Sequence, residues 1–466
     1  MAAPALATTV VRYITDRIGK VDVFDETKAD LQKDSPWYKL GSIAYLYWMI
    51  TIISGLILVA VYLPTTFQAY DSIIMIKEST LLGIIRGLHK YGGDAIIIAS
   101  TLKVYRMWFR AEYKNKGELA FLLSLIVLVA AMYSGLTGYL LIWNQRAFWA
   151  TKIFGTFPTY LDIAPAVNFW FLPSITGLVT STIGTLTHQG NNISQMLLGG
   201  SSIGQATMTR FYSLHFGISL IALVISELYF YKNRYKRINL NRWTILFFFC
   251  ILLFTAIVLP AEMGSRANPE VTPLPILSDW YFLALYQLLK YMDPYWATLW
   301  TVGIPFITLA LCFFDIGPEK DPWRRPLFSI AAIIGLIDFI AFSFLIIMNV
   351  ADINRDPPFW YGQMIVVMTF AELWHYGLYK QMKAWLFWVV PNVLLSGWYF
   401  FLYVVPKPML PASLTWFYSN DPKVHPNHMA FATHPFMTLW LILSVILIVI
   451  TGIFALCKPT AEVQPA

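Results

Sequence analysis

Apolar stretches of about 20 residues, the length needed to cross a hydrocarbon core of roughly 30 Å, recur along this chain with short polar breaks between them. Ten such runs read as membrane-spanning helices: 41–64, 82–109, 118–143, 207–231, 243–262, 285–314, 327–349, 359–379, 384–405 and 434–457. The pattern predicts an all-α, polytopic membrane helix bundle of about ten helices. Residues 1–40 are polar and mixed in charge. Within them VVRYITDRIGKVDVF fits an amphipathic helix lying on the membrane surface, with a plain tail as the competing reading. They contain no apolar core followed by a small-residue cleavage site, so no removable signal peptide is expected.

Composition agrees with the pattern. The 466 residues are 58% hydrophobic and 17% aromatic, with 13% charged, outside the range of soluble domains. The net charge of +7 does not indicate nucleic acid, because the basic residues sit in the breaks between spans. Arg106, Arg110, Lys114 and Lys116 follow the second span, Lys232, Arg234, Lys236, Arg237 and Arg242 the fourth, and Lys320, Arg324 and Arg325 the sixth. Alternate breaks lie on one side, which the positive-inside rule makes cytoplasmic. The opposite, outer side holds the longer connections 144–206, 263–284 and 406–433. Cys250, Cys312 and Cys457 form no Cys-x-x-Cys pair, which excludes covalent c-type haem and argues against an iron–sulfur cluster held by this chain alone.

Two histidines carry the candidate chemistry. His89 and His215 each stand near the start of a span, in its outer half and at similar depth. Two imidazoles facing each other across a helix pair can hold a haem iron axially. A lone membrane histidine is more often a hydrogen-bonded packing residue, but two at matched depth point to a shared site. Arg86 and Arg210 lie three and five residues before them, placed to pair with haem propionates or simply to reach the interface. Gly41 and Gly55 are separated by fourteen residues in the first span, about 21 Å of helix, and Ser124 and Gly138 repeat that spacing in the third. Small residues there let helices approach closely, or leave room for the edge of a flat macrocycle at two levels.

Five segments carry a resemblance to a known family: GSIAYLYWMITIISGLILVAVY, RGLHKYGG, GYLLIWNQRAFWATKI, GGSSIGQATMTRFYSLHF and ANPEVTPLPILSDWYFLALYQLLKY. In this order and with these spans between them, they resemble cytochrome b, the quinone-handling subunit of quinol:cytochrome c oxidoreductase complexes, over most of residues 8–350. The resemblance implies a four-helix haem-binding domain at 41–242, preceded by the cytoplasmic-side segment 1–40. A C-terminal, subunit-IV-like domain with the quinol-site loop follows at 243–350, and additional helices at 351–466. It also implies haem b, a quinone pool, Rieske iron–sulfur and c-type cytochrome partners in a dimeric complex, and a prokaryotic inner or equivalent energy-conserving membrane. The family's outer quinol site falls on Ser278-Asp279-Trp280-Tyr281, which replaces Pro-Glu-Trp-Tyr. Asp279 is expected to take the quinol proton, with Tyr281 beside it. Ile142-Trp143-Asn144-Gln145 likewise replaces Pro-Trp-Gly-Gln.

The main departure is at the family's inner haem, whose ligands are a second histidine pair fourteen positions beyond the first. Here those positions hold Lys103 and Tyr229. One reading is that only the outer haem, on His89 and His215, is retained. The competing reading keeps a second haem on unusual ligands, since tyrosinate binds haem iron elsewhere and Gly41, Ser124 and Arg106 preserve features of an inner pocket. Without an inner relay, about 20 Å of electron path is lost.

Other polar residues are read as secondary. His188 is assigned to the outer surface or the quinone-site surroundings, and Glu372 with His375 to helix-end packing rather than proton uptake. His425, His428 and His434, with Asp421 nearby, are assigned to a solvated loop that contacts a partner rather than to a metal site. The leading expectation is a membrane electron-transfer subunit that oxidises or reduces quinone at an outer site. The rivals are a structural or assembly subunit, and a single-haem anchor of a different oxidoreductase.

Overall fold

The computed structural model describes residues 36–114, 117–160, 162, 189–232, 236–273, 277–291, 298 and, with short gaps, 301–347. The expectations for residues 1–35, His188, Glu372, His375, His425, His428 and His434, and for the spans 359–379, 384–405 and 434–457, lie outside the described residues. Within them the chain is helical, and its one β-type pairing is an isolated antiparallel bridge between Asn144 and Arg266.

The helices are α1 (Leu40–Val59), α2 (Ala69–Glu78), α3 (Thr80–Phe109), α4 (Glu118–Leu140), α5 (Gln145–Tyr160), α6 (Gly190–Leu198), α7 (Gln205–Lys232), α8 (Arg242–Val258), α9 (Leu283–Tyr291) and α10 (Pro326–Ile347). Among the described residues, Pro36–Val59, Glu118–Leu140 and Gln205–Tyr231 are long and apolar enough to cross a membrane by length and composition. The 30-residue α3 is longer still but carries Arg86, Lys90, Asp94, Lys103 and Arg106 within its length. It is the element in which the sequence concentrates charge. The fifth expected span, 243–262, is shorter than anticipated: α8 stops at Val258, and Leu259 leaves the helical region before Pro260. A residue preceding proline is driven toward extended backbone by the proline ring, so the helix cannot run on. The outer connections contain helices the hydropathy pattern did not resolve, namely α2, α5 and α6.

The described residues fall into two compact units. The first takes those within Met1–Thr156, Asn192–Ser278 and Pro305–Ile316; the second takes those within Phe157–Asn191, Asp279–Ile304 and Gly317–Ala466. In the first, α1 packs on α3, α3 on α4 and α8, and α4 on α7. Small residues bring these helices close. A Cβ built on Gly87 of α3 would lie 2.9 Å from the Ala256 Cβ of α8, and one on Gly92 would collide with the Thr51 hydroxyl of α1. One buried cluster gathers Tyr62, Ile73, Leu140, Trp143, Phe148 and Phe211, and another Ile43, Tyr47, Trp48, Ile96 and Leu252. Leu220, Ile221 and Leu228 on α7 and Phe247 and Phe254 on α8 are exposed, as a lipid-facing surface requires. In the second unit α9 packs against α10.

At the loop after α3 the first unit buries charge. Lys114 and Asp315, each about 5% exposed, pair at 2.7 Å, and the Tyr113 hydroxyl donates to the same carboxylate at 2.6 Å. Both partners are satisfied, so the desolvated carboxylate is compensated.

Candidate functional site

His89 on α3 and His215 on α7 face each other, with ring centroids 5.9 Å apart and planes at 68°. Each Nδ1 lies 2.8 Å from a backbone carbonyl, that of Thr51 on α1 for His89 and that of Ser134 on α4 for His215. A carbonyl can only accept, so each Nδ1 carries the proton and donates it, and each Nε2 is left with a lone pair. Neither Nε2 has a hydrogen-bond partner among the described residues. This is the arrangement a metal-binding imidazole needs, because the second nitrogen's hydrogen bond fixes both tautomer and ring orientation.

The two halves of the site repeat one design. The accepting carbonyls precede Gly55 and Gly138 by one helical turn, and the imidazoles lie in the notches those glycines leave. A Cβ on Gly55 would be 2.7 Å from the Cε1 of His89, and one on Gly138 would be 2.5 Å from the Cε1 of His215. Any side chain at either position would evict the ring. A metal bound at roughly 2 Å by each Nε2 sets the two ring centres about 6 Å apart, close to the observed separation. The donor set, the bare nitrogens and the glycine notches therefore fit a haem iron held between α3 and α7.

The flanking arginines are engaged with backbone. Arg86, 7% exposed, donates to the carbonyls of Ala261 at 2.9 Å and Glu262 at 2.7 Å. Exposed Arg210 donates to the carbonyls of Gln195, at 3.3 Å, and Met196. Arg86 thus ties α3 to the connection after α8.

Fourteen residues along the helices from the first site, the positions that repeat it look different. A Cβ on Gly41 would meet the side chain of Lys103, its Nζ at 3.2 Å and its Cε at 3.5 Å. The Ser124 hydroxyl, which stands where the repeat of Gly138 falls, donates to the Ala120 carbonyl at 2.7 Å and to the Met107 sulfur at 3.4 Å. Arg106 donates to the Trp37 carbonyl at 2.9 Å and pairs with Glu112 at 3.2 Å. Tyr229 sits edge-on to Phe230. Nearby, the Tyr45 hydroxyl of α1 donates at 2.5 Å to Glu227 of α7, which also pairs with Arg237 at 2.7 Å. That α1–α7 bridge had no signal in the sequence, since its three members look separately like interfacial residues.

The segment between α4 and α5 is joined to the connection after α8 residue by residue. Trp143 holds φ at 54°, strained for a residue with a side chain, and is fixed by its buried ring and by a bond from the Ala267 N–H to its carbonyl at 3.1 Å. Asn144 donates from Nδ2 to the Met263 carbonyl and accepts the Ala147 N–H, both at 2.7 Å, so it caps α5. Gln145 accepts from the Asn268 N–H at 2.5 Å and donates to the Val271 carbonyl. Arg146 donates to the Ser278 carbonyl at 2.6 Å and meets Glu262 at 3.4 Å. In the second unit, Asp279 is extended, and its carbonyl accepts the Phe282 N–H at 2.9 Å, opening the short 3-10 turn Trp280–Phe282. Tyr281 is buried, with ring centroids 5.5 Å from Trp280 and 4.9 Å from Phe282.

A family model described as cytochrome b/b6/petB matches residues 29–167 and 156–236, and a second, described as cytochrome b(C-terminal)/b6/petD, matches 266–370. Among curated relatives, the cytochrome bc complex cytochrome b subunit of Chlorobaculum thiosulfatiphilum is 27% identical over 331 residues, 64% of this chain and 71% of the relative. Cytochrome b of Rickettsia bellii is 26% identical over 337 residues, 66% and 78% of the two chains. In fold the chain is similar to a solved structure titled "Hyperthermophilic respiratory Complex III", with a TM-score of 0.57 and 22% identity over 72% of this chain and 91% of the other. With the two matched regions together spanning about two-thirds of the 466 residues, the chain belongs to the cytochrome b/b6 family of integral membrane electron-transfer proteins.

Proposed function

We propose that this chain is the membrane subunit of a bc-type quinol oxidoreductase, holding one haem b between His89 and His215 and oxidising quinol on the outer side near Asp279 and Tyr281. The observation that carries the reading is the pair of imidazoles, ring centroids 5.9 Å apart, whose Nδ1 atoms are both committed to carbonyls, leaving two Nε2 atoms free for a metal. Haem b held there exchanges single electrons. The protein's own part is to fix the ring orientations through Thr51 and Ser134 and to keep the notches at Gly55 and Gly138 open. Asp279 receives a proton when quinol is oxidised, and Tyr281, buried against its neighbours, forms part of an apolar wall beside it. Rieske and c-type cytochrome partners, a dimeric complex, a prokaryotic energy-conserving membrane and domain limits near 41, 242 and 350 belong to the same proposal.

The single-haem reading is supported by side chains occupying the repeat of the site. Lys103 fills the notch at Gly41, Met107 covers Ser124, and Tyr45 and Glu227 bridge α1 to α7 at that end. An electron that would cross the membrane through a second haem must then leave to another acceptor.

Haem b per polypeptide, measured as pyridine haemochrome in the purified complex after subtraction of partner c-type haem, tests the count. One per chain is expected, two overturns the single-haem reading, and none returns the chain to a structural role. Quinol oxidation by D279N tests the outer site. A loss of on the order of a hundredfold or more is expected for removal of a proton acceptor, and wild-type turnover would remove Asp279 from the reaction.

A further inference from the structure

Arg146 is in an unfavourable place for a cation. It is the second residue of α5, after the Asn144 cap, where the unpaired N–H groups of a helix start repel positive charge. One terminal nitrogen donates to the Ser278 carbonyl at 2.6 Å, the other lies 3.4 Å from the carboxylate of Glu262, and the guanidinium sits over the Tyr139 ring at 5.9 Å. Glu262 is in turn held through its own carbonyl by Arg86. Ser278 is joined by one peptide bond to Asp279, and its residue is only 1% exposed, yet neither its hydroxyl nor its N–H makes a hydrogen bond among the described residues. Among the described residues its hydrogen bond is the one that its carbonyl receives from Arg146.

This placement coincides with the loss of the proline that the family's motif carries at the same point. A proline fixes its own φ and restricts the residue before it, so the peptide leading to the acidic residue is stiff without help. Serine has no such restriction. We propose that Arg146 is a positioning residue of the quinol site: its charge-assisted bond to the Ser278 carbonyl immobilises the peptide that carries Asp279, replacing the stiffness of the missing proline. The inference rests on the quinol reading above. It explains why a cation is placed against the helix dipole, and why an otherwise unanchored serine is buried there.

The test uses the whole complex and four variants, with the haem optical spectrum recorded for each as a check on assembly. R146Q removes the charge and shortens the donor, and is expected to lower kcat for quinol oxidation by about tenfold to a hundredfold, with KM changed less, because misplacing a reacting group by about 1 Å has effects of that size. R146K keeps the charge without the planar fork and is expected to fall between R146Q and wild type. S278P placed in either background is expected to restore kcat, because proline there removes no hydrogen bond made among the described residues and supplies the stiffness directly. A purely structural contribution of Arg146 would not be recovered by a proline at 278. Wild-type kcat in R146Q, or loss in R146K that S278P fails to restore, overturns the proposal. Should R146Q lose the haem spectrum, R146K with and without S278P decides alone. D279N separates the two levels of argument: an inactive D279N beside an unaffected R146Q sinks only the positioning role, and an active D279N sinks the quinol reading itself.

Discussion

The glycine notch at Gly138 gives the sharpest test of the haem site. In G138A the new methyl would lie 2.5 Å from Cε1 and 2.8 Å from Nδ1 of His215, whereas ordinary contact begins at 3.4 Å. The imidazole must therefore retreat by about 0.9 Å, the difference between 3.4 and 2.5 Å. A retreat of that size carries the Nδ1–Ser134 bond from 2.8 Å to beyond the hydrogen-bonding range of roughly 3.2 Å. The lost bond is worth about 0.5–1.5 kcal/mol and the forced repacking about 1–3 kcal/mol. Together they amount to about 1.5–4.5 kcal/mol, or roughly tenfold to somewhat over a thousandfold weaker haem retention. Haem loss to an excess of a haem-scavenging apoprotein, followed optically, measures this directly. G217A on the same helix is the control, because a Cβ there meets nothing within 4 Å. G55A, where the shortfall is about 0.7 Å against Cε1 of His89 at 2.7 Å, should weaken retention less than G138A. Wild-type retention in G138A, or equal loss in G217A, would refute the assignment of these glycines to the imidazoles.

Three further outcomes follow from the same contacts. H89A and H215A should each abolish the haem absorbance, since either change leaves a single imidazole nitrogen for the iron; a spectrum that survives in one of them would show that the imidazole removed there is not a ligand. K103M should leave haem content at its wild-type value, because Lys103 only fills the Gly41 notch; a drop to half that value would instead identify Lys103 as a ligand of a second haem. D315A should destabilise the first unit by about 3–5 kcal/mol, the effect of leaving the Lys114 ammonium buried without its carboxylate. In a detergent unfolding series the double change K114M/D315L should recover most of that loss, and failure to recover would show that the pair is not what the burial requires.

The hydropathy pattern was sufficient to identify a helical membrane protein, and the paired histidines at matched depth were sufficient to pick out the two side chains that the structure brings together. Both signals are local: span length answers to bilayer thickness, and histidine in an apolar run is conspicuous by itself. Gly55 and Gly138 were visible as a repeat, but their role was not, because the notch exists only once α1 lies against α3 and α4 against α7. The accepting carbonyls of Thr51 and Ser134 could not be read at all, since every residue has a carbonyl and only the packing decides which one an imidazole reaches. The same holds for α5, a 16-residue helix whose period is masked by its mixed composition, and for Arg146, whose partner lies 132 residues away. Charge in the spans was the least transparent part. Arg86, Lys103, Arg106 and Glu227 all look in sequence like side chains reaching for the interface, whereas packing commits them to carbonyls, a glycine notch and, for the partly exposed Glu227, a tyrosine hydroxyl. Sequence alone determined the solvent this chain folds in and marked the two imidazoles as its candidate ligands. Tertiary structure decided which nitrogen of each histidine is left bare, because a hydrogen bond between distant helices, with no sequence signature, is what fixes a tautomer.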